Sequence, residues 1–372
     1  MIRVGITGQT GFIGTHLYNF LRLKQGEVTL IPFQDDFFLD QVKLEAFVQG
    51  CDAIVHLAAL NRHNDPQAIY DTNLGLVSKL IAAFEKTGST SHLLFSSSTQ
   101  EERDNIFGKS KREGRELFAK WAERSGALFT GMVIPNVFGP FGNPYYNSVV
   151  ATFSHQLAHN ETPKIEVDTQ LKLIYIGDLV KTIYSLIINK VSDKEFHVPP
   201  TDEARVSEIL TILQGFKDQY LENGILPDLT DLFERNLFNT FVCYIDHSKY
   251  FPFKLKLNSD DRGSFVETAK LHSGGQISFS TTKPGITRGN HFHTRKAERF
   301  VVIKGIARIQ LRQIGTERIM NFELDGNEPS YVDMPIWYTH NITNIGTDEL
   351  YTIFWISELF DANDADTFFE EV

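Results

Sequence analysis

"IRVGITGQTGFIGTHLYNFLRLK", residues 2–24, decides how the first half of this chain folds. Its first residues predict a short buried strand, and the apolar spacing after the glycines predicts an amphipathic helix. Gly8, Gly11 and Gly14 form the pattern GxxGxxG. In a strand–turn–helix unit the first glycine permits the tight turn, the second lets a diphosphate approach the backbone, and the third brings the helix close to the strand. The helix N-terminus adds N–H groups and a positive dipole end, so the stretch predicts a dinucleotide-binding βα unit.

Further strands follow at the spacing of βα units. They are "EVTLIPF" (27–33), "DAIVHLAAL" (52–60), "HLLFSSS" (92–98) and "LFTGMVIPNVFG" (128–139). Helical patterns such as 65–88 and 109–125 separate them. Nearly continuous apolar strands of this kind predict a parallel sheet covered on both faces, which is an α/β Rossmann architecture.

Length and charge bound the possible functions. The chain has 372 residues, enough for two cores, and a net charge of −11. That charge argues against nucleic acid or an anionic membrane as the main partner, although basic residues in one pocket can still hold an anionic small molecule. Cys51 and Cys243 match no ligand spacing, there is no run of about 18 apolar residues, and "MIRVGITG" leaves no room for a signal peptide. We therefore expect a cytoplasmic protein.

The sequence pattern changes near residue 245. Short, often alternating strands separated by turn residues run from "FKLKLN" (253–258) to "LYTIFWI" (350–356), with no helix-length pattern between them. This pattern predicts an antiparallel barrel or jelly roll. We expect domains at 1–244 and 245–372, with "DLFERNLFNTF" (231–241) as the last helix of the first.

Four residues of the second half have metal-ligand spacing: His291, His293, Glu298 and His340. On one strand, side chains two residues apart share a face, so both His291 and His293 can point inward. Three histidines and a carboxylate suit Zn²⁺ or another borderline divalent ion. The alternative is that the histidines are acid–base groups without a metal.

The first half resembles an extended short-chain dehydrogenase/reductase of the class that works on nucleotide sugars. The motifs that carry this resemblance occur in family order: "TGQTGFIG" (7–14), "VHLAA" (55–59), "FSSS" (95–98), "FGKSK" (107–111), "PNVFGP" (135–140) and "YIGDLV" (175–180). The resemblance implies that Ser98 orients the substrate and that Lys111 hydrogen-bonds the nicotinamide ribose. It implies Asn136 and Asn147 as substrate ligands. The implied cofactor-binding residues are Gly8, Thr10, Gly11, Phe12, Ile13, Gly14, Asp35, Leu57, Ala58, Ala59 and Lys111.

Phe107 departs from the family pattern, because it occupies the tyrosine position of the YxxxK motif. The missing hydroxyl normally passes a proton to or from the reacting oxygen, a service worth roughly 10²–10⁴-fold in rate. Another group such as Ser98, Thr99 or a water can supply the proton, Tyr145 or Tyr146 can swing in, or the domain turns over poorly. The sequence leaves these three open.

The cofactor is also open between NADP(H) and NAD(H). Asp35 and Asp36 follow the second strand, with no Lys or Arg before Lys43. An acidic residue about twenty positions past the glycines favours the 2′-hydroxyl of NAD. The enzyme family that the whole chain resembles uses NADPH, which makes NADP(H) the expected cofactor without excluding NAD(H).

The second half resembles the cupins. Gly285-x5-His291-x-His293-x4-Glu298-x6-Gly305 matches their first motif, and 335–344 matches the second, except that Trp337 replaces a glycine. "DRGSFVE" (261–267) and "RGNH" (288–291) further resemble the cupins that epimerise nucleotide-linked 4-keto-6-deoxy sugars. That resemblance implies Arg262 and Arg288 as diphosphate ligands and His291 as the base. The chemistry of a 4-keto sugar adds Lys296 as a candidate enolate stabiliser and Tyr351 or Tyr338 as a candidate proton donor.

Over its full length the chain resembles the bifunctional capsular-polysaccharide enzymes that make UDP-2-acetamido-2,6-dideoxy-L-talose. The resemblance implies that the cupin inverts C3 of a UDP-4-keto-6-deoxy-HexNAc and that the first domain reduces C4, on the route to N-acetyl-L-fucosamine for capsule or O-antigen. It also implies a homodimer. The alternatives are a sugar-nucleotide 4,6-dehydratase or 4-epimerase with an accessory cupin, and a cofactor-sensing or scaffold protein with weakened catalysis.

Overall fold

The structure, a computed structural model, describes residues 1–260, 263–266, 268–271, 275–358 and 361–372. The chain divides into two compact units. The first comprises Met1–Phe138, Gly142–Val149 and Thr169–Arg205, and the second comprises Gly139–Phe141, Val150–Asp168 and Val206–Val372. Residues 206–244, expected with the first domain, thus group with the second unit.

The first unit is built on a six-stranded parallel sheet of order β2-β1-β3-β4-β5-β8. A smaller three-stranded sheet, β6-β7-β9, accompanies it. The elements as far as residue 205 are β1 (Ile2–Thr7), α1 (Phe12–Arg22), β2 (Val28–Ile31), α2 (Gln41–Gly50), β3 (Ala53–His56), α3 (Pro66–Thr87), β4 (His92–Ser98), α4 (Ile106–Ser125), β5 (Phe129–Ile134), β6 (Asn136–Phe138), α5 (Val149–Ala158), β7 (Gln170–Tyr175), α6 (Ile176–Ile188), β8 (Asp193–His197) and β9 (Asp202–Arg205).

Local signals explain where the long helices begin and end. Asp65 caps α3 by accepting from the backbone N–H of Gln67, and Gly88 ends the helix with a φ of 66°. Asn105 caps α4 in the same way at Gly108. Both helices pack their apolar faces on the sheet, where Phe84 and Trp121 stack with ring centroids 4.2 Å apart. The predicted helices and parallel strands are confirmed.

The strand order of the parallel sheet indicates where a ligand crevice lies. The chain moves from β1 outward to β2 and then back across β1 to β3, so the connections after β1 and β3 leave in opposite directions. In open α/β sheets, ligands bind outside the carboxyl ends of the strands at such a switch point. The glycine turn after β1 lies there.

The second unit contains two five-stranded antiparallel sheets of order β11-β20-β17-β22-β15 and β19-β18-β21-β16-β23. They confirm the predicted all-β second half. The further elements are α7 (Val206–Phe216), β10 (Ile225–Leu226), α8 (Leu232–Phe241), α9 (His247–Tyr250), β11 (Phe253–Lys254), β12 (Leu257–Asp260), β13 (Gly263–Val266), β14 (Lys270–Leu271), β15 (Gln276–Thr282), β16 (Thr287–Phe292), β17 (Glu298–Lys304), β18 (Ile306–Gln313), β19 (Ile319–Asp325), β20 (Ser330–Met334), β21 (Tyr338–Asn344), β22 (Leu350–Ile356) and β23 (Phe368–Phe369).

A buried ion pair explains why residues 206–250 belong with these sheets. Arg299 on β17 is 1% exposed and bonds Asp333 on β20 through Nε (2.8 Å) and Nη2 (2.9 Å). Its Nη1 donates to the carbonyl of Gly224 (3.1 Å), and the hydroxyl of Tyr220 donates to Asp333. Because a buried charge is tolerated only when it is paired, these bonds tie the helical segment to the sheet. Within the described ranges, no helix is both long and apolar enough to cross a membrane.

Candidate functional sites

A cavity of about 1260 Å³ opens at the carboxyl ends of β1, β3 and β4 in the first unit. The residues predicted for cofactor and substrate binding in this half all line it, together with the three from the tyrosine–lysine and serine motifs. They are Gly8, Thr10, Gly11, Phe12, Ile13, Gly14, Asp35, Leu57, Ala58, Ala59, Ser98, Phe107, Lys111, Asn136 and Asn147.

The glycine turn has the shape that a diphosphate needs. Gly8 has a φ of 69°, and a Cβ there would lie 2.7 Å from the nitrogen of Ala58. A Cβ at Gly14 would lie 2.2 Å from the carbonyl oxygen of Gly8, so α1 could not approach β1 as closely. A Cβ at Gly11 meets one protein atom within 4 Å, at 3.3 Å. Gly11 therefore presents its backbone to the cavity, and the turn fits a dinucleotide.

The end of β4 is held in place by buried polar contacts. Ser98 accepts a hydrogen bond from the N–H of Gln100 (3.2 Å), so its own hydroxyl hydrogen remains to donate into the cavity. Ser97 donates to the carboxylate of Glu101, which also pairs with Arg115 on α4 at 2.7 Å. These contacts fix the serine strand against the helix that carries Phe107 and Lys111.

Lys111 is buried beside Phe107. Its ammonium donates to the carbonyl of Ser96 (2.9 Å) and lies 5.7 Å from the centroid of the Phe107 ring. Burial lowers the pKa of Lys111 to about 8, and the charge of Glu101 opposes that shift. Of the two tyrosines considered as replacements for the missing hydroxyl, Tyr146 lines the cavity, whereas the Tyr145 side chain is 52% exposed.

Charged residues at the cavity edge include two that the sequence did not reveal. Asp35 lines the cavity as predicted, and its neighbour Asp36 pairs with Lys43 at 3.1 Å. Lys79 lines the same region and donates to the carbonyl of Phe38 (2.9 Å). Arg62 lines the cavity too. Both basic residues belong to the β3–α3 connection or to α3, where the sequence offered no motif beyond "VHLAA".

In the second unit, His291, His293, Glu298 and His340 come together as their spacing predicts. Their ligand atoms all lie within 4.8 Å of one another. Glu298 Oε2 is 3.2 Å from His293 Nε2 and 3.1 Å from His340 Nε2. The residues come from both sheets: Glu298 is on β17, while His291 and His340 are paired across β16 and β21.

In two of these histidines, a main-chain carbonyl determines which ring nitrogen carries the hydrogen. His293 Nδ1 is 2.6 Å from the oxygen of Asp366, and His340 Nδ1 is 3.2 Å from that of Tyr338. Because a carbonyl only accepts, each Nδ1 carries the hydrogen and each Nε2 presents a lone pair.

Those lone pairs face the carboxylate of Glu298. Among the described residues, none gives His293 Nε2, His340 Nε2 or Glu298 Oε2 a hydrogen bond. Three electron-pair donors that converge in a buried space fit a divalent cation.

His291 differs from the other three residues in being only partly buried. Burial first, and then the neighbouring His340 and His293, lower its pKa to about 4. It is therefore neutral at pH 7 and able to accept a proton.

Two other predicted residues of the second half, Lys296 and Tyr351, have partners outside the four-residue cluster. The Lys296 ammonium donates to the carbonyl of Ala365 (2.6 Å), which directs it toward the 361–372 segment. Tyr351 bonds Glu349 (3.1 Å), and strand alternation puts it on the opposite face from Phe354, which packs on the inward-facing Phe300. Neither of these bonds joins its side chain to the histidines, and the expected roles of Lys296 and Tyr351 stay predictions.

The two predicted diphosphate arginines are not part of the described cluster. Arg288 is exposed and donates to the carbonyl of Thr281 (3.0 Å). Arg262 lies outside the described residues. Their diphosphate role stays a prediction.

Three non-glycine residues with positive φ surround the histidine cluster. They are Asn290 (55°), Trp337 (61°) and Asp366 (42°). Trp337 donates its backbone N–H to the carbonyl of His293 (2.8 Å) and stacks its ring on Phe292. Such conformations persist only where the surroundings impose them, and they concentrate at functional sites.

Two family models match the chain. Residues 4–198 match the "NAD dependent epimerase/dehydratase family", and residues 258–368 match the "Polysaccharide biosynthesis C-terminal domain".

Full-length relatives share both parts. The chain is 33% identical over 369 residues to a UDP-2-acetamido-2,6-beta-L-arabino-hexul-4-ose reductase of Pseudomonas aeruginosa, covering 99% of this chain and 98% of that one. It is 34% identical to the capsular polysaccharide assembling protein CapF of Staphylococcus aureus, with all of both chains covered and a TM-score of 0.62. The NADPH complex of RMD from Pseudomonas aeruginosa is 20% identical, covers 59% of this chain and 83% of its own, has a TM-score of 0.52, and supports the fold of the first unit alone.

Proposed function

This chain belongs to the CapF family of capsular-polysaccharide UDP-sugar epimerase/reductases, and from that premise we propose that it converts a UDP-4-keto-6-deoxy-HexNAc into UDP-2-acetamido-2,6-dideoxy-L-talose. It is an NAD(P)H-dependent enzyme. We propose that the second unit is a cupin that inverts C3 and that the first unit reduces the C4 ketone. The observation that carries this proposal is the presence, in one chain, of a dinucleotide cavity and a histidine–carboxylate cluster.

One intermediate accounts for both sites. A ketone at C4 makes the proton on C3 removable, because the enolate spreads the charge onto oxygen. The same ketone accepts hydride. Inversion at C3 followed by reduction at C4 removes the carbonyl and fixes the new configuration.

At the cluster, His291 is suited to remove the C3 proton. It is neutral at pH 7, and it is less buried than the three residues that converge beside it. His293, Glu298 and His340 would hold the divalent ion, expected to be Zn²⁺, and when bound that ion supplies positive charge next to a developing oxyanion. The main-chain carbonyls on the two Nδ1 atoms keep both ligand lone pairs aimed at the centre.

In the first unit, the turn with Gly8, Gly11 and Gly14 would hold NAD(P)H, which when bound would supply a hydride to C4. The C4 oxygen must then receive a proton. Ser98 offers its hydroxyl hydrogen at the cavity wall, and Thr99 and Tyr146 line the same cavity. Phe107 has no hydroxyl, so one of these groups or a water takes that role.

The deciding experiment incubates the protein with a UDP-4-keto-6-deoxy-HexNAc and NADPH or NADH in D₂O. Absorbance at about 340 nm follows reduction, and deuterium at C3 follows inversion. We expect both. Deuterium without cofactor oxidation would leave an epimerase only, oxidation without deuterium a reductase only, and neither would favour a sensing or scaffold role.

The division of roles in the cluster is tested separately. His291→Asn should keep about one divalent ion per chain by elemental analysis and lose deuterium incorporation. His340→Ala should lose both. Loss of the metal from His291→Asn would make His291 a ligand, and a metal-free but active wild-type protein would remove the metal from the proposal.

A further inference from the structure

The segment 364–370, here called the clasp segment, lies along the strand that carries His291. Phe368 and Phe369 pair with Phe292 and His291 of β16. The N–H of Glu370 donates to the carbonyl of Asn290 (3.0 Å). A stretch of chain remote in sequence thus forms part of the wall of the histidine cluster.

Asp366 is the centre of this segment. It is 5% exposed, and its carboxylate accepts from the N–H (3.1 Å) and hydroxyl (2.6 Å) of Thr294, and from the N–H groups of Arg295 (3.0 Å) and Lys296 (3.3 Å). The chain after His293 is therefore wrapped around one carboxylate. A carboxylate that accepts several backbone N–H bonds holds those groups firmly, because each bond is charge-assisted.

The main chain of the same residue reaches the ligand itself. The carbonyl oxygen of Asp366 accepts from His293 Nδ1 at 2.6 Å. His340 has the matching bond to Tyr338, which is two residues away on its own strand, whereas the partner of His293 is 73 residues away. His340 is oriented locally, and His293 depends on the clasp segment.

We propose that Asp366 is a positioning residue for the divalent metal, fixing the tautomer and direction of His293 through its carbonyl while its carboxylate anchors the loop 294–296. The inference rests on the metal site of the proposed function. The positive φ of Asp366 (42°) supports it, because the backbone adopts this conformation to point the carbonyl at the imidazole while the side chain serves the loop. Partners of metal-bound histidines typically change metal affinity 10–100-fold when they are lost.

The test compares Asp366→Ala and Asp366→Asn with Asp364→Asn as the matched control. Asp364 lies in the same segment, is 68% exposed and pairs with Arg295. Zn²⁺ affinity is measured by competition with a chromophoric chelator, and Co²⁺ is bound in parallel for its visible absorption bands, which report the ligand geometry. The thermal midpoint of each metal-free variant measures any loss of folding stability that is independent of the metal.

We expect Asp366→Ala to weaken Zn²⁺ binding by about 10–100-fold and to change the Co²⁺ bands. Asp366→Asn keeps one acceptor oxygen, so its Zn²⁺ affinity should lie between that of Asp366→Ala and that of wild type. Asp364→Asn should bind like wild type. If Asp366→Ala lowers the metal-free midpoint but leaves Zn²⁺ affinity and the Co²⁺ bands unchanged, the residue is only a structural latch and the inference is wrong. If wild type itself binds neither metal, the metal site and this inference fail together, while the reductase is judged separately from cofactor oxidation.

Discussion

At the scale of single residues, Phe107 is where the chain departs furthest from its family pattern. The ring lies beside the Lys111 ammonium at the cavity wall, so a tyrosine there would add a hydroxyl with little change in shape. We predict that Phe107→Tyr raises kcat for C4 reduction by about 10-fold or more with KM little changed. Steady-state oxidation of the cofactor measures it, and deuterium incorporation at C3 should not respond.

The companion variant Tyr146→Phe identifies the donor now in use. If it lowers kcat in the wild-type background but not in the Phe107→Tyr background, Tyr146 supplies the proton. A Phe107→Tyr variant that reduces no faster would place the donor elsewhere, with Ser98 and Thr99 next to be replaced.

Asp35 is the residue expected to influence the choice between NADH and NADPH. Its carboxylate lines the cavity 21 positions after Gly14, where the adenosine ribose is expected. A 2′-phosphate would meet this negative charge, while the 2′-hydroxyl of NADH can donate to it. We predict that Asp35→Ser shifts the ratio of NADH to NADPH affinity toward NADPH by about 10-fold, measured by titration of each cofactor.

Asp36→Ser is the control, because Asp36 is already paired with Lys43. It should keep the wild-type ratio. An unchanged ratio in Asp35→Ser would contradict the prediction and place the adenosine ribose away from this carboxylate.

At the scale of elements, the turn between β1 and α1 can be blocked without unfolding the unit. A Cβ at Gly11 meets little protein, in contrast to Gly8 and Gly14. We predict that Gly11→Val abolishes cofactor binding, since the side chain occupies the diphosphate position, while deuterium incorporation at the cluster continues. Gly50→Ala on α2 is the control and should bind cofactor normally. Loss of deuterium incorporation in Gly11→Val would show that the two sites are not independent.

Elements with a local signature were the predictable ones. The glycine turn, the parallel strands and the His-x-His pattern of β16 depend on residues close together in sequence, so spacing alone indicated where they would lie. The cavity around Ser98 and Lys111 followed from the family motifs. The residues that those motifs implied for cofactor and substrate binding all line it.

Features that depend on remote contacts or on strand phase were not predictable. The bond from His293 to Asp366 uses a main-chain oxygen and leaves no side-chain signal. Tyr351 was expected at the cluster, but the alternation of side chains along β22 places it on the opposite face of the strand. Which face a strand residue occupies depends on the pairing register, and the sequence does not reveal that register. The bond from Lys296 to Ala365 also uses a main-chain oxygen of the clasp segment, and the role expected for Lys296 stays a prediction. The homodimer and the cytoplasmic location stay predictions.

At the scale of the whole molecule, buried neutral histidines make the free energy of unfolding depend on pH. Burial, together with the charge of Lys111, lowers the pKa of His56 to about 3. An unfolded chain binds that proton near pH 6.5. Stability therefore falls as the pH falls from about 6.5 toward 3, because the unfolded state takes up the proton first.

We predict that between pH 7.5 and 5 the first unit of wild type loses about 2 kcal/mol more than His56→Gln, or about 4–8 °C in thermal midpoint. The variant keeps some acid sensitivity through His92, whose pKa burial lowers to about 4. The exposed His63→Gln serves as the control and should behave like wild type. An equal loss in His56→Gln would mean that His56 is protonated in the folded protein.

The clasp segment also sets an order of events during synthesis. His293 is made 73 residues before Asp366. At about 5–20 residues per second, roughly 4 to 15 s pass before the ribosome has added the partner that orients it. Throughout that interval the imidazole is free to adopt either tautomer, whereas His340 is made two residues after its partner Tyr338. Full metal affinity is therefore expected only at the end of translation, because a chain that stops before residue 366 lacks the carbonyl that orients His293.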